Sequence, residues 1–170
     1  MNKILIIDDE IEICESIKMI LEYEDYEVEY FTDASKGMAH LKENPFLVLL
    51  LDIQMPKTTG FEVLSKISEF QNKPNIIMIS AHGSLENAIK ATKLGAFDFI
   101  EKPIDRDKLL ISVRNASERA ILISENRKLK SELDVEYSMV GNSEALMLIQ
   151  NTIARVAKSD ARVLITGENG

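Results

Sequence analysis

The sequence predicts an α/β fold in which helices cover both faces of a parallel sheet, and two unbroken apolar runs are the main evidence. One run, Ile4–Ile7, is followed by two aspartates, and the other, Phe46–Leu51, is followed by Asp52. Runs without polar alternation are typical of strands buried on both faces. Strand and helix patterns also alternate up to about residue 118. Five such βα units predict a doubly wound five-stranded sheet with right-handed crossovers.

The predicted strands are short, and four of them are strongly apolar. They are Lys3–Ile7, Glu27–Phe31, Leu47–Leu51, Asn75–Ile79 and Phe97–Ile100. The second strand is the more polar one, with Glu27 and Glu29 alternating with apolar residues. Because charged side chains protect an exposed strand from pairing with other chains, we expect this strand at an edge of the sheet.

The predicted helices follow apolar residues at spacings of three and four. They cover about Ile11–Leu21, Ala34–Lys42, Phe61–Phe70 and Leu85–Leu94, with a last helix that starts near Asp105. Asp33 and Ser84 are the expected N-caps of the second and fourth helices, and Gly95 is expected to end the fourth. A loop with Pro56 and Gly60 precedes the third helix.

The last helix lacks a stop signal, since neither Gly nor Pro occurs between Asp105 and about Leu133. Leu122, Asn126, Leu129 and Leu133 follow one another at spacings of four, three and four. This is the pattern of a short coiled-coil seam with one Asn at an a position. The alternative is a solvated linker helix without a partner.

The character of the sequence changes again after residue 138. One helical face is formed by Leu146, Ile149, Ile153 and Val156, and Arg162–Thr166 is a predicted strand before the terminal Gly167-Glu168-Asn169-Gly170. About thirty residues do not close a core of their own, so we expect the start of a further domain of a longer protein. The predicted organisation is a first domain over 1–120, a helical linker over 121–137 and a domain fragment over 138–170.

The composition excludes several classes of protein. The chain of 170 residues is 45% hydrophobic and 28% charged, which is typical of a globular protein. Its net charge of -8 argues against non-specific binding to nucleic acid or to anionic membranes. The single cysteine, Cys14, lies within a helical pattern and fits a reducing compartment. Because no signal peptide and no apolar stretch of about 20 residues is found, we expect a cytoplasmic protein without a membrane partner.

Polar residues follow four of the five predicted strands. Asp8 and Asp9 follow the first strand, Asp52 the third, Ser80 the fourth and Lys102 the fifth. The carboxyl ends of parallel strands meet at one edge, where open α/β sheets bind ligands. Three carboxylates there would repel each other unless a hard cation such as Mg²⁺ joins them, and lysine suits a phosphoryl oxygen. A carboxylate held in this way can accept a phosphoryl group.

Taken one at a time, these residues have simpler interpretations. Asp9 is a candidate cap of the first helix, and Asp52 is a candidate first residue of a turn. Lys102 alone would be a solvated lysine. The arrangement of all of them at one edge favours phosphate chemistry over this alternative.

Together with Pro56 and Gly60, Ser80-Ala81 and Lys102-Pro103, these residues resemble the receiver domain of two-component response regulators over residues 1 to about 120. The resemblance implies a flavodoxin-like or CheY-like sheet of order 2-1-3-4-5. It also implies that Asp52 accepts a phosphoryl group from a sensor histidine kinase, and that the domain is a switch rather than an enzyme.

The same resemblance implies a role for each site residue. Asp9, Asp52 and the backbone carbonyl of Gln54 would bind Mg²⁺ directly, and Asp8 would act through water. Ser80 and Lys102 would contact the phosphoryl group, and Ser80 and Phe99 would form the switch. For Phe99, a core aromatic residue is the alternative. A cis bond before Pro103 is also implied.

Further segments resemble the NtrC family of response regulators. They are Ser80-Ala81-His82-Gly83, Gly95–Pro103 and Val140-Gly141-Asn142-Ser143, and Asn169 with Asp160–Arg162 indicates the NtrX-like branch. The end of the chain, Gly167, Glu168, Asn169 and Gly170, resembles the start of a Walker A loop in an AAA+ domain. The resemblance implies a homodimeric sigma-54-dependent activator. Its ATPase, DNA and sigma-54 RNA polymerase functions would belong to a longer protein, because the lysine of G-x-x-x-x-G-K-[ST] is missing here.

Two alternatives of other classes stay open. A phosphohydrolase of the haloacid dehalogenase type also uses an aspartate at a strand end, but it needs a second acid where this chain has Gln54. A degenerate receiver that serves as a phosphate-independent dimerisation module would be expected to lack an acid or the lysine, and both are present.

Overall fold

The computed structural model describes residues 2–70, 72–81, 83–136 (backbone alone for 131–136), 141, 143–157, 162, 164 and 166. The chain divides into two compact units, Met1–Arg127 and Lys128–Gly170. The predicted domain limits at 120 and 137 remain predictions.

The first unit contains a parallel sheet in the order β2-β1-β3-β4-β5, which confirms the predicted fold class and strand order. The strands are β1 (Lys3–Ile7), β2 (Glu27–Phe31), β3 (Val48–Asp52), β4 (Asn75–Ser80) and β5 (Asp98–Glu101). The helices are α1 (Ile11–Glu22), α2 (Ala34–Glu43), α3 (Gly60–Ser68), α4 (Leu85–Lys93), α5 (Arg106–Glu136) and α6 (Glu144–Val156).

The observed limits differ from the predicted ones by one or two residues, except at the end of α5. β3 begins at Val48 and extends to Asp52, which pairs with Ile79 of β4. Leu47, predicted as the first residue of β3, still donates its N–H to Lys3 O at 2.9 Å. The extension matters for the site, because it makes Asp52 the last residue of a central strand rather than a loop residue.

The core has two layers, and the two-residue period of the strands assigns side chains to each. On one face, α2, α3 and α4 pack against Leu5, Ile7, Leu49, Leu51, Ile76 and Met78. On the other face, α1 and α5 pack against Ile4, Ile6, Val48, Leu50, Ile77, Ile79 and Ile100. Consecutive strand residues point to opposite faces, and both faces are covered. This explains why the sequence shows continuous apolar runs rather than alternation.

The two predicted N-caps and the glycine predicted to end the fourth helix are confirmed. The Asp33 carboxylate accepts hydrogen bonds from the N–H groups of Ser35 and Lys36, and Ser84 accepts one from Asn87. Gly95 follows α4 with φ of +90°, a backbone conformation that favours glycine. The Lys102–Pro103 bond is cis, as the resemblance implied.

The helix α5 is unbroken from Arg106 to Glu136, which confirms the predicted continuous helix. Leu122 and Leu129 of the proposed seam are 64% and 60% exposed, and the side chain of Leu133 lies outside the described residues. The coiled coil therefore stays a prediction. No helix in the described part of the chain combines the length and apolar character needed to cross a membrane.

The second unit contains the predicted helix, α6, whose N-cap Ser143 accepts a hydrogen bond from Leu146 N. Of the predicted strand Arg162–Thr166, the described residues Arg162, Leu164 and Thr166 are not in a strand, and Val163 and Ile165 lie outside the described residues. The glycine-rich segment 167–170 also lies outside them.

The first residue of α3 touches the backbone of β3. Gly60 N donates to Ile53 O at 2.9 Å. A Cβ atom at Gly60 would overlap the Asp52 carbonyl oxygen and would lie 2.9 Å from Ile53 Cα. Both neighbours are main-chain atoms of the strand end, so neither can move away cheaply.

We predict that Gly60→Ala destabilises the protein by about 1–3 kcal/mol, as overpacking does elsewhere. Alanine favours helices over glycine by about 1 kcal/mol, so a gain would be expected if the space were open. Urea unfolding measures the change. Ser65→Ala, at an exposed position of the same helix, is the control and should stay within about 0.5 kcal/mol of wild type. A Gly60→Ala protein as stable as wild type would contradict the close approach.

Candidate functional site

The register of the sheet brings the predicted site residues to one edge. Ile7 pairs with Leu51, and Asp52 pairs with Ile79. Asp8 therefore follows β1 at the level where Asp52 ends β3, and Ser80 ends β4 beside them. Lys102 follows β5 and donates its N–H to Ser80 O at 2.7 Å.

Three carboxylates meet at this edge. One oxygen each of Asp8, Asp9 and Asp52 can be chosen so that all three lie within 4.8 Å of one another. Asp8 and Asp52 are 0% and 2% exposed, and Asp9 is half-buried. The alternative role of Asp9 as the cap of α1 is wrong, because Glu10 holds the N-cap position.

The Lys102 ammonium compensates this negative charge. Its Nζ lies 2.9 Å from Asp8 Oδ2 and 2.9 Å from Asp52 Oδ1, and its side chain is 10% exposed. Burial alone would lower the pKa of Lys102. The contacts with the carboxylates of Glu10, Asp52 and Asp8 outweigh burial and raise the pKa above its usual value. Lys102 is therefore a fixed cation of the site rather than a solvated lysine.

Asp52 is oriented by two contacts. Its Oδ1 faces Lys102, and its Oδ2 accepts a hydrogen bond from Gln54 N at 2.6 Å. The second contact shows that Asp52 does begin a turn, as its simpler interpretation held, while it also faces the cluster. Burial raises the pKa of Asp52 and the Asp8 charge adds to this, although Lys102 and Gln54 oppose it. The site therefore holds a carboxylate that is costly to keep charged without more positive charge nearby.

Ser80 and Phe99 flank the cluster on the side of β4 and β5. Ser80 is fully buried. Phe99 is half-buried and packs against the core layer of α2, α3 and α4, so its interpretation as a core aromatic residue also holds. The loop after Ser80 is tied to β5 by a hydrogen bond of 3.1 Å from Gly83 N to Glu101 Oε1.

Sequence reasoning missed two residues of the site. Glu10 Oε1 lies 2.8 Å from Lys102 Nζ, and a third acid directly after Asp8-Asp9 was the available signal. The thiol of Cys14 donates to Asp8 O at 3.3 Å. Burial raises the pKa of Cys14 to about 12, with a further contribution from the Asp8 charge. Cys14 is thus the packed thiol that its helical position predicted.

The residues fit a hard divalent cation. Asp8 Oδ2 is buried and has an ion pair with Lys102, but this contact lacks hydrogen-bond geometry, and the oxygen has no hydrogen bond among the described residues. A divalent cation would give this oxygen a partner, and its charge would offset the excess of carboxylates over ammonium groups. Oxygen donors of this kind suit Mg²⁺, which keeps several waters and shares the rest of its shell with phosphate.

Comparison with known proteins gives the same assignment for the first unit. The response regulator receiver domain matches residues 4–114. The nitrogen assimilation regulatory protein NtrX of Azorhizobium caulinodans is 37% identical over 99% of this chain and 37% of its own length. The chain therefore spans little more than a third of that relative.

Solved structures of response regulators are similar to this chain as well. NtrX from Brucella abortus, in complex with ADP, is 33% identical with a TM-score of 0.70 and covers 91% of this chain and 35% of its own. The beryllofluoride-activated NtrC4 receiver domain dimer is 34% identical with a TM-score of 0.67 and covers 71% of this chain and 99% of its own. The chain belongs to the response regulator receiver domain family of two-component systems, and it is similar to NtrX over nearly its whole length.

Proposed function

We propose that this protein accepts a phosphoryl group on Asp52 from a phosphohistidine of a sensor histidine kinase. The observation that supports this most directly is the surroundings of the Asp52 carboxylate. It is 2% exposed, at the end of a central strand, 2.9 Å from Lys102 Nζ and clustered with two further carboxylates. A carboxylate placed in this way is a nucleophile with a cation ready for the group that it receives.

In the proposed transfer, a carboxylate oxygen of Asp52 attacks the phosphorus and the P–N bond to the histidine breaks. The imidazole keeps the bonding electron pair, and Asp52 becomes an acyl phosphate. Lys102 pairs with a phosphoryl oxygen, and the Ser80 hydroxyl donates to another. Burial of the site limits access of water to the product.

Mg²⁺ would be bound directly by Asp9, Asp52 and the backbone carbonyl of Gln54. Asp8 would contribute to the same site through a water molecule. When bound, the ion offsets charge on the phosphoryl oxygens. The acids would therefore have two roles, since the same carboxylates that repel one another without the ion become its ligands.

The surface formed by α4, β5 and α5 would have two conformations. Phosphorylation would shift the equilibrium between them through Ser80 and Phe99. A shift from 1:99 to 99:1 requires about 5.5 kcal/mol of differential stabilisation. We propose that the output is a homodimer formed through this surface and the linker part of α5. The dimeric state of the NtrC4 receiver supports this by analogy.

We further propose that the chain is the N-terminal part of a cytoplasmic sigma-54-dependent activator. The similarity to NtrX supports this. The division into a receiver over 1–120, a linker over 121–137 and an AAA+ fragment over 138–170 belongs to the same proposal. Gly167, Glu168, Asn169 and Gly170 would begin a nucleotide-binding loop, and contacts with DNA and RNA polymerase would lie in the rest of the parent protein.

Treatment with acetyl phosphate and Mg²⁺ should add one phosphoryl group, measured by intact mass. The adduct should be absent without Mg²⁺ and absent in Asp52→Ala, because both the metal and the nucleophile are needed. Asp107→Asn, in the first turn of α5, is the control and should be modified normally. An unmodified wild-type protein would favour the alternative of a phosphate-independent dimerisation module.

Mg²⁺ should stabilise the wild-type protein against thermal unfolding. A ligand that binds the folded state at 100 times its Kd adds about 2.7 kcal/mol. Asp9→Asn should lose most of the shift in Tm, and Glu15→Gln, an exposed acid on α1, should keep it. The effect of NaCl at equal ionic strength is subtracted. An equal shift in both variants would mean that Mg²⁺ binds elsewhere.

Asp52→Asn should stabilise the metal-free protein. Because the pKa of Asp52 is raised in the folded state, the folded protein binds this proton more tightly than the unfolded chain, and stability falls as pH rises above about 3.9. The free energy of unfolding of the variant should therefore rise relative to wild type as pH increases from about 4 to 7.

Thermal unfolding in EDTA across this pH range measures the difference between the two proteins. Asp33→Asn is the matched control, because the pKa of Asp33 is shifted in the opposite direction. Hydrogen bonds from the backbone N–H groups of Lys36 and Ser35 lower the pKa of Asp33 although desolvation opposes them, so its loss should destabilise the protein at neutral pH. A metal-free Asp52→Asn protein less stable than wild type at pH 7 would contradict the repulsion inferred for the site.

A further inference from the structure

One side chain at the site has no role in the proposed transfer. Glu10 Oε1 accepts a hydrogen bond of 2.8 Å from Lys102 Nζ. Glu10 holds the N-cap position of α1, where a polar side chain usually accepts a hydrogen bond from the first turn, and it makes no such bond. Its carboxylate therefore pairs with Lys102 and leaves the helix end uncapped by a side chain.

Three carboxylates surround the Lys102 ammonium, and the contact with Asp8 is an ion pair rather than a hydrogen bond. The distances are 2.9 Å to Asp8, 2.9 Å to Asp52 and 2.8 Å to Glu10. A phosphoryl oxygen that pairs with Lys102 needs a place beside an ammonium that three carboxylate oxygens already contact. One existing contact must then weaken or break.

Exposure indicates which contact is lost most easily. Asp8 and Asp52 are buried, so a carboxylate that lost Lys102 there would stay away from water at a high cost. The side chain of Glu10 is 58% exposed, so water solvates the carboxylate as it leaves. Exposed ion pairs contribute little, and Glu10 is therefore the partner that Lys102 can exchange.

We propose that Glu10 is a positioning residue that competes with the phosphoryl group for Lys102. This rests on the proposed function, because it assigns Lys102 to the incoming group. Before phosphorylation Glu10 holds the ammonium, and on phosphorylation it turns into solvent while a phosphoryl oxygen takes its place. Glu10 thereby weakens the affinity of the site for a phosphoryl group.

A carboxylate at the mouth of the site would also repel an anion without touching Lys102, and chain length separates the two effects. Glu10→Gln removes both the charge and the ion pair. Glu10→Asp keeps the charge, but its side chain is one methylene shorter and reaches Lys102 less well. Competition predicts that both variants behave alike, whereas repulsion predicts that Glu10→Asp behaves as wild type.

The test is the Kd of beryllofluoride, a mimic of the phosphoryl group, measured by titration calorimetry on the full chain with saturating Mg²⁺. We expect Glu10→Gln and Glu10→Asp each to tighten binding about two- to fivefold, the range set by exposed ion pairs. Glu15→Gln removes the same charge from an exposed position of α1 and should leave the Kd unchanged. Thermal unfolding of each variant checks that it is folded.

The outcomes separate this inference from the function on which it rests. An unchanged Kd in Glu10→Gln, or a Kd of Glu10→Asp equal to that of wild type, overturns the competition while binding to wild type still supports the receiver chemistry. Absence of beryllofluoride binding to the wild-type protein overturns the proposed function and this inference with it.

Discussion

The contact between Lys102 and the buried carboxylates is the interaction on which the site depends. Asp8 and Asp52 are almost fully removed from water, and two negative charges in such a place are tolerated only with a partner. The ammonium is held between them at 2.9 Å from each. Removal of Lys102 would leave two buried carboxylates uncompensated, which is costlier than the complete set. The site therefore keeps an excess of negative charge, which a bound cation would offset.

The sheet supplies this arrangement without special loops. Parallel pairing places the ends of β1, β3 and β4 side by side, and β5 brings Lys102 back through its N–H bond to Ser80. Both faces of the sheet are covered, so the strands are rigid and their ends are fixed. Apolar packing of the strands therefore also fixes the positions of the charged residues that follow them. The chemistry of the edge thus depends on core residues such as Leu50 and Ile77, which belong to the sheet interior.

Much of this could be predicted from the sequence, because the signals are local. Continuous apolar runs identify buried strands, and Asp33, Ser84 and Gly95 mark helix ends by their own backbone chemistry. Residues directly after strands, such as Asp52 and Lys102, are placed by topology alone. Glu10 and Cys14 were not predicted as site residues, because their contacts with Lys102 and Asp8 depend on side-chain reach across the fold. The exposed fraction of the Glu10 side chain indicates how firmly it is held, and its position in the sequence did not predict that fraction.

The site is packed more closely on the side of α3, where Gly60 approaches the strand end, than on the side of α4. The helix α3 begins against the carbonyl of Asp52 and buries Gly60, Val63, Leu64 and Ile67. The helix α4, by contrast, buries Ala91 alone among its residues, and the loop before it is tied to β5 by the exposed bond from Gly83 to Glu101. We therefore expect a displacement that begins at Asp52 to meet more resistance towards α3 than towards α4. Because Gly60 has no side chain, α3 can begin in contact with the end of β3, and this close packing would favour movement on the side of α4.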